Sequence, residues 1–117
     1  MQKIVENKFA PKLRFGEFSN KWSNITLNHF FSIFNGYAFK SSDATNVGCR
    51  WIKIADVGIN KLKEDTLSYL PEDFLVKYPK FGLKEGDIVL ALTRPILNKK
   101  LKIAILTSEH TGALLNQ

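Results

Sequence analysis

The sequence predicts a single small α+β domain with a twisted, mainly antiparallel β-sheet and a few short helices. The chain has 117 residues, of which 44% are hydrophobic and 24% charged, and a chain of this size buries one core. Its apolar residues fall in short runs, several of which alternate with polar residues as strands do. Glycine, proline and asparagine separate these runs, as expected for turns.

The N-terminal half is predicted to begin with an irregular arm, residues 1–21, in which aromatic residues show no clear period. The remaining residues, 22–117, form the predicted domain. Apolar residues between Ile25 and Phe34 recur at three-to-four spacing and predict a helical turn that passes into a strand. Asn35 and Gly36 then predict a tight turn with left-handed geometry.

Two strands and a short helix are predicted in the middle of the chain. The run Trp51–Val57 alternates apolar and polar side chains and predicts a strand with one wet face. A second short strand is predicted over Thr66–Leu70. Pro71, followed by two carboxylates, predicts a helix start, and this helix must end before Pro79 because the residue before proline disfavours helical geometry.

The C-terminal part is predicted to form a β-hairpin. After a turn at Lys84–Asp87, the apolar run Ile88–Leu92 predicts a strand that is buried on both faces. Leu101–Leu106 is its predicted partner. Residues 94–100 form the connection between them, which is too long for a two-residue turn and basic at its tip.

The charge of the chain is basic and unevenly distributed. Seventeen Lys and Arg residues against eleven Asp and Glu residues give a net charge of +6. The densest basic cluster consists of Arg94, Lys99, Lys100 and Lys102, with no carboxylate among them. Such a cluster suits contacts with phosphates, although a solvated surface loop is the simpler alternative.

Several classes of protein are excluded or disfavoured by the composition. No apolar run is long enough to cross a bilayer and the N-terminus lacks an apolar signal core, so a cytoplasmic protein without membrane contact is expected. Cys49 is the only cysteine and cannot form an internal disulfide. His29 and His110 have no partners at metal-ligand spacing, and no clustered glycines form a phosphate-binding loop. No catalytic residue, metal site or cofactor site is predicted.

A set of motifs spread along the chain resembles one known family. In order, these motifs are Pro11–Phe15, Asn35–Asp43, Trp51–Val57, Tyr69–Glu72, Leu83–Pro95 and Gly112–Gln117. Together they resemble the start of a target recognition domain from the specificity (S) subunit of type I restriction-modification systems. The resemblance implies a target-recognition-domain-like fold that is incomplete at the C-terminus. An open sheet edge would then be left, through which the chain could form a homodimer.

The resemblance also implies a division of labour between subunits. The domain would read one half of a split site in double-stranded DNA and would itself be non-catalytic. Methyl transfer from S-adenosylmethionine would belong to modification (methyltransferase) subunits. Cleavage and translocation with ATP and Mg²⁺ would belong to a restriction (endonuclease) subunit, so no cofactor is expected in this chain.

Two groups of residues are predicted to contact DNA. The first lies in and beside the basic connection and the second around the Asn-Gly-aromatic loop, with one further lysine. Arg suits guanine, Asn suits adenine, and Lys and Ser suit phosphates. The predicted contacts are Arg94, Asn98, Lys99, Lys100 and Lys102, then Tyr37, Lys40 and Ser41, and Lys53.

Members of this family recognise many different DNA sequences, so residues that they share are expected to stabilise the fold rather than to select bases. Tyr37, Phe39 and the Leu83–Leu92 stretch fit this structural role. Base selection is therefore expected where the chain is idiosyncratic: residues 45–50, 60–65 and 96–102.

Two other interpretations remain open at this point. The domain could be cut from a fused restriction-methyltransferase enzyme, in which case catalytic motifs would lie elsewhere in the same polypeptide. Alternatively, Trp22, Trp51 and the phenylalanines could form an aromatic-rich surface that binds another protein.

Overall fold

The computed structural model describes residues 13–117, which fall into two compact units, residues 13–33 and 34–117. The first twelve residues of the predicted arm, with Pro11 and Lys12 of the first motif, lie outside the described residues. The division into an arm of residues 1–21 and a domain of residues 22–117 stays a prediction. No helix within the described part of the chain is both long and apolar enough to cross a membrane.

Residues 13–33 contain one short 3-10 helix, Leu27–His29. The helical turn predicted between Ile25 and Phe34 is therefore present, but the strand predicted to follow it is absent. A strand needs backbone hydrogen bonds to a neighbour, and within the described residues the first such pairing after this helix occurs at Tyr37. The apolar spacing indicated the helical turn correctly, but it carried no information about a strand partner.

Residues 34–117 contain seven short strands and one short α-helix, so the predicted α+β class with short helices is confirmed. The α-helix, α1, is Phe74–Lys77. The strands in chain order are β1 Cys49–Ile52, β2 Tyr69–Leu70, β3 Ile88–Leu90, β4 Ile96–Leu97, β5 Lys100–Leu101, β6 Ile103–Ile105 and β7 Leu114–Leu115. Further 3-10 helices are Ser41–Asp43, Ile54–Asp56, Pro79–Phe81 and Ser108–His110.

The strands form three small sheets. In the largest, β1 is central, antiparallel to β2 and parallel to β7, with Trp51 opposite Leu114. The other two sheets are the antiparallel pairs β3–β6 and β4–β5. The predicted hairpin partnership is thus correct, with Val89 opposite Ala104.

The core consists of two clusters that meet at β1. Ile52 points into an aliphatic cluster with residues from β3 and β6. Trp51 points into the other cluster, where Phe39, Leu70 and Leu114 surround it. Alternate side chains of a strand point to opposite faces, so one strand supplies both clusters and holds the unit together.

The expectation that Ile88–Leu92 is buried on both faces is wrong. The strand β3 ends at Leu90, and only Val89 of its three residues is buried, while Ile88 is 63% exposed. The β3–β6 sheet has two strands and packs one face against the core, so alternate side chains point to solvent. A continuous apolar run therefore indicated a strand here but not its burial.

The expected left-handed turn at Asn35–Gly36 is also wrong. Neither residue has a positive φ; among the glycines in the described part, positive values occur at Gly48, Gly86 and Gly112. Gly36 instead lies directly against the backbone of Asn116, where a methyl group on its Cα would overlap the Asn116 carbonyl. The glycine is needed for close approach of two chain segments and not for backbone freedom.

The remaining predicted strands and the predicted helix are shorter in the structure than the sequence indicated. The strand predicted over Trp51–Val57 ends at Ile52, because the Asp56 carboxylate accepts the Lys53 N–H and closes the 3-10 helix Ile54–Asp56. The strand predicted over 66–70 retains only Tyr69–Leu70. The predicted helix begins at Phe74 and ends before Pro79, and the turn at Lys84–Asp87 is present.

Candidate nucleic-acid interface

The most basic segment of the chain forms a hairpin of its own, which we call the basic hairpin (residues 94–102). Strands β4 and β5 pair with Ile96 opposite Leu101 and Leu97 opposite Lys100. Asn98 and Lys99 form the turn, with φ values of 51° and 63°. Two positive φ values are the signature of a type I′ two-residue turn. The connection between β3 and β6 is longer than such a turn, as expected, but a two-residue turn forms its tip.

The basic hairpin is tied to the core at its base. The Lys102 N–H donates to the Pro95 carbonyl at 2.6 Å, and the Ala91 N–H donates to the Lys102 carbonyl at 3.1 Å. The Lys102 Nζ also reaches the Ile54 carbonyl at 3.5 Å. These bonds anchor the ends of the hairpin while its tip remains exposed.

The exposed cations of the basic hairpin have no carboxylate partner among the described residues. Arg94, Lys99 and Lys100 are exposed and form no ion pair with any described carboxylate. The sequence contains no Asp or Glu between Asp87 and Glu109. The segment therefore presents a positive field that is suited to a polyanion.

The second predicted group of contacts lies on a separate loop. Lys40 and Ser41 are exposed there, and the Lys40 N–H donates to the Asp43 carboxylate at 2.9 Å. No hydrogen bond or ion pair joins this loop to the basic hairpin within residues 13–117.

Tyr37 makes contacts within the protein that fit a structural role, and its contact with DNA stays a prediction. Its ring lies 4.7 Å from that of Tyr78 and 4.9 Å from that of Phe39, measured between centroids. Its N–H donates to the Leu115 carbonyl, and its own carbonyl accepts the Gln117 N–H, both at 3.0 Å. Tyr37 thus joins the loop to the C-terminal strand.

Lys53 is engaged within the protein. Its Nζ donates to the Ser68 hydroxyl at 2.7 Å and lies 4.8 Å from the centre of the Trp51 ring. These contacts satisfy part of the hydrogen-bonding and electrostatic demand of the Lys53 ammonium group. A contact between Lys53 and DNA stays a prediction.

One kind of turn occurs three times, and only the turn at Lys84–Asp87 was predicted from the sequence. In three places the N–H of a lysine donates to the carboxylate of the aspartate three positions later, and the aspartate N–H returns a bond to the lysine carbonyl. The pairs are Lys40–Asp43 at 2.9 Å, Lys53–Asp56 at 2.7 Å and Lys84–Asp87 at 3.0 Å. The Lys-x-x-Asp spacing is visible in the sequence, and it fixes the backbone of two predicted contact residues.

An open cleft of about 450 Å³ lies between β1 and the Ser108–His110 helix, and its charge is acidic. Glu64, Glu72 and Glu109 line it, and its arginine, Arg50, donates to both Glu64 oxygens at 2.7 and 3.0 Å. Carboxylates that outnumber the available cations repel phosphate. The cleft is therefore a poor site for a DNA backbone.

Glu64 is held ionised in this cleft. Partial desolvation opposes its charge, but hydrogen bonds from Arg50 and His110, together with the charge of Arg50, lower the pKa of Glu64 below its usual value. His110 Nδ1 accepts the Thr107 N–H at 3.0 Å, so Nε2 carries the proton and faces Glu64 at 3.3 Å.

Cys49 and His110 hold loops in place. The Cys49 thiol donates to the carbonyls of Leu70 and Pro71 at 3.6 and 3.4 Å, and burial raises the pKa of the thiol. A reactive cysteine needs a lowered thiol pKa, which is the opposite shift.

Within residues 13–117, no group of three or more His, Cys, Asp or Glu side chains is arranged to hold a metal ion.

Comparison with known proteins gives two related sequences. The type I restriction enzyme MjaVIII specificity subunit of Methanocaldococcus jannaschii is 42% identical over 114 residues, which is 97% of this chain and 27% of the relative. The type I restriction enzyme EcoAI specificity subunit of Escherichia coli is 34% identical over 101 residues, 86% of this chain and 17% of the relative. The chain thus spans about a quarter or less of each relative's length. No family model and no solved structure matches it.

Proposed function

Because the chain is related over almost its whole length to specificity subunits of type I restriction enzymes, we propose that it is a DNA target recognition domain. The relatives match the family that the sequence motifs indicated. The basic hairpin is the single structural observation that supports this function best, since it combines exposed cations with a shape that fits duplex DNA.

The shape of the basic hairpin matters as much as its charge. A two-stranded β-ribbon is narrow enough to enter the major groove, where base pairs display distinct patterns of donors and acceptors. The hairpin consists of two such strands joined by the Asn98–Lys99 turn. Its tip can therefore approach base edges while its base stays attached to the core.

The side chains divide by chemistry into two roles. Lys99, Lys100 and Lys102 are suited to phosphates, which position a protein on DNA, and Arg94 can pair with either a phosphate or guanine. Asn98 can pair with adenine. Lys40 and Ser41 would supply a second phosphate contact, and Lys53 a further one.

The chemistry of restriction and modification is proposed to lie outside this domain. The domain would act as a non-catalytic guide that brings the modification subunits and the restriction subunit to the site. S-adenosylmethionine, ATP and Mg²⁺ would bind those partners. Formation of a homodimer through a sheet edge also stays a prediction.

Removal of three cations from the basic hairpin tests the proposal. We expect Arg94→Ala, Lys99→Ala and Lys100→Ala together to weaken binding to random-sequence duplex DNA about a hundredfold at 0.1 M salt. The slope of log Kd against log salt should fall by about 2.7, because each lost phosphate contact removes about 0.9. The measurement is a binding titration at several salt concentrations.

A matched variant separates local contacts from net charge. Lys77→Ala, Lys80→Ala and Lys84→Ala together remove the same charge from exposed positions outside the basic hairpin. This control should retain most of the salt dependence. Equal slopes for the two triple variants, or no binding of the wild-type chain at low salt, would contradict the proposal.

A further inference from the structure

The basic hairpin has an apolar face in addition to its cations. Ile96 and Leu101 lie directly opposite each other on β4 and β5, so their side chains share one face of the ribbon. Ile96 is 59% exposed and Leu101 41% exposed. The two residues therefore form an exposed apolar pair on an element that is itself marginally stable in water.

The charged residues near this apolar pair in the sequence are all positive. Arg94, Lys99, Lys100 and Lys102 flank it along the chain, and no carboxylate lies between Asp87 and Glu109. A partner that covers this face must therefore be strongly anionic and must also offer apolar groups at its surface. Duplex DNA meets both conditions, because its major groove displays the C5-methyl group of thymine between two rows of phosphates.

We propose that Ile96 and Leu101 are specificity-determining residues that contact thymine methyl groups in the major groove. This inference rests on the proposed function and extends it, since it names the base and the atoms that the hairpin reads. The ribbon would enter the groove with the Ile96–Leu101 face toward the base pairs.

The register of the hairpin is consistent with that orientation. Leu97 and Lys100 pair on the opposite face, which would point out of the groove, where the long Lys100 side chain can reach a phosphate. Asn98 lies in the turn at the tip, directly after the Leu97–Lys100 pair, and can pair with the adenine opposite a thymine. The two contacts together would favour A·T pairs.

The experiment removes the methyl group from the DNA and the apolar side chains from the protein. A duplex is first selected from a random pool with the full chain, and each thymine in it is then replaced singly by deoxyuridine. Burial of one methyl group corresponds to about a fourfold gain in affinity. We expect at least one replacement to weaken binding by about that factor.

The protein side of the test compares two variants. In Ile96→Ala with Leu101→Ala, the ratio of Kd values for the uridine and thymine duplexes should fall to about one. In Ile88→Ala, which removes an isoleucine of similar exposure (63%) from β3, the ratio should stay about fourfold. The ratio is measured on one protein preparation, so a partly unfolded variant does not distort it.

Selection that yields no sequence preference would overturn both the inference and the proposed target recognition. Two other results would overturn the inference alone: uridine duplexes that bind as well as thymine duplexes, or a ratio that survives in the double variant. Each of these would still show salt-dependent binding to DNA. A complete absence of binding would instead overturn both the inference and the proposed function.

Discussion

Gly36→Ala is expected to lower the free energy of unfolding by about 3 kcal/mol, the upper part of the usual range for overpacking. The added methyl group would overlap the Asn116 carbonyl, and the surrounding backbone must move to accept it. This movement would break the bonds that join Tyr37 to Leu115 and Gln117. The measurement is urea denaturation, with hydrogen exchange of the Tyr37 and Gln117 amides as a local readout.

Gly16→Ala is the matched control, because a methyl group there meets no atom within 4 Å and Gly16 has no positive φ. Its free energy of unfolding should stay within about 0.5 kcal/mol of the wild-type value. Should Gly36→Ala unfold at the same urea concentration as Gly16→Ala, the close approach of the two backbones would not exist.

Leu114→Ala is expected to lower the free energy of unfolding by about 2–5 kcal/mol, because it leaves a cavity in the core. Leu114 is completely buried, lies opposite Trp51 across the parallel β1–β7 pair and bridges to Gly82. A loss of this size is a large part of the stability of a small domain. Thermal and urea unfolding both measure it.

Leu92→Ala provides the comparison for that experiment, since Leu92 is 70% exposed. Removal of an exposed leucine side chain should change the free energy of unfolding by about 0.5 kcal/mol or less. Similar losses for the two variants would show that β7 is not part of the core.

Features that depend on neighbouring residues could be predicted from the sequence. The apolar run at Ile88 and the apolar run after Lys100 correctly predicted the paired strands β3 and β6. The cluster of Arg94, Lys99, Lys100 and Lys102 was predicted to lie in the connection between these strands, and Arg94, Lys99 and Lys100 are exposed there. Sequence spacing alone was sufficient there because the partners lie close together in the chain.

Long-range pairings could not be predicted in this way. The parallel contact between Trp51 and Leu114 joins residues that are far apart in sequence, and no local pattern encodes it. A second long-range contact, between Gly36 and the backbone of Asn116, explains why residue 36 must be glycine. From the sequence, Gly36 was predicted to form a turn, whereas in the structure it allows close contact with a distant segment of the chain.

The turn at the tip of the basic hairpin escaped prediction for a different reason. Type I′ turns favour Asn-Gly, whereas this chain has Asn98 followed by Lys99 in a left-handed conformation. A lysine with positive φ is uncommon and costs conformational energy. Under the proposed function, the charge of Lys99 at the tip offsets that cost when DNA binds, and strained residues of this kind cluster at functional sites.

The central claim is that the basic hairpin contacts DNA, and a backbone amide NMR titration of the full chain with duplex DNA tests it most directly. We expect shifts or broadening at the amides of residues 96–101, with little change at Glu64 and residues 109–111 of the acidic cleft. Changes centred on the acidic cleft, with the amides of residues 96–101 unaffected at saturating DNA, would contradict the claim.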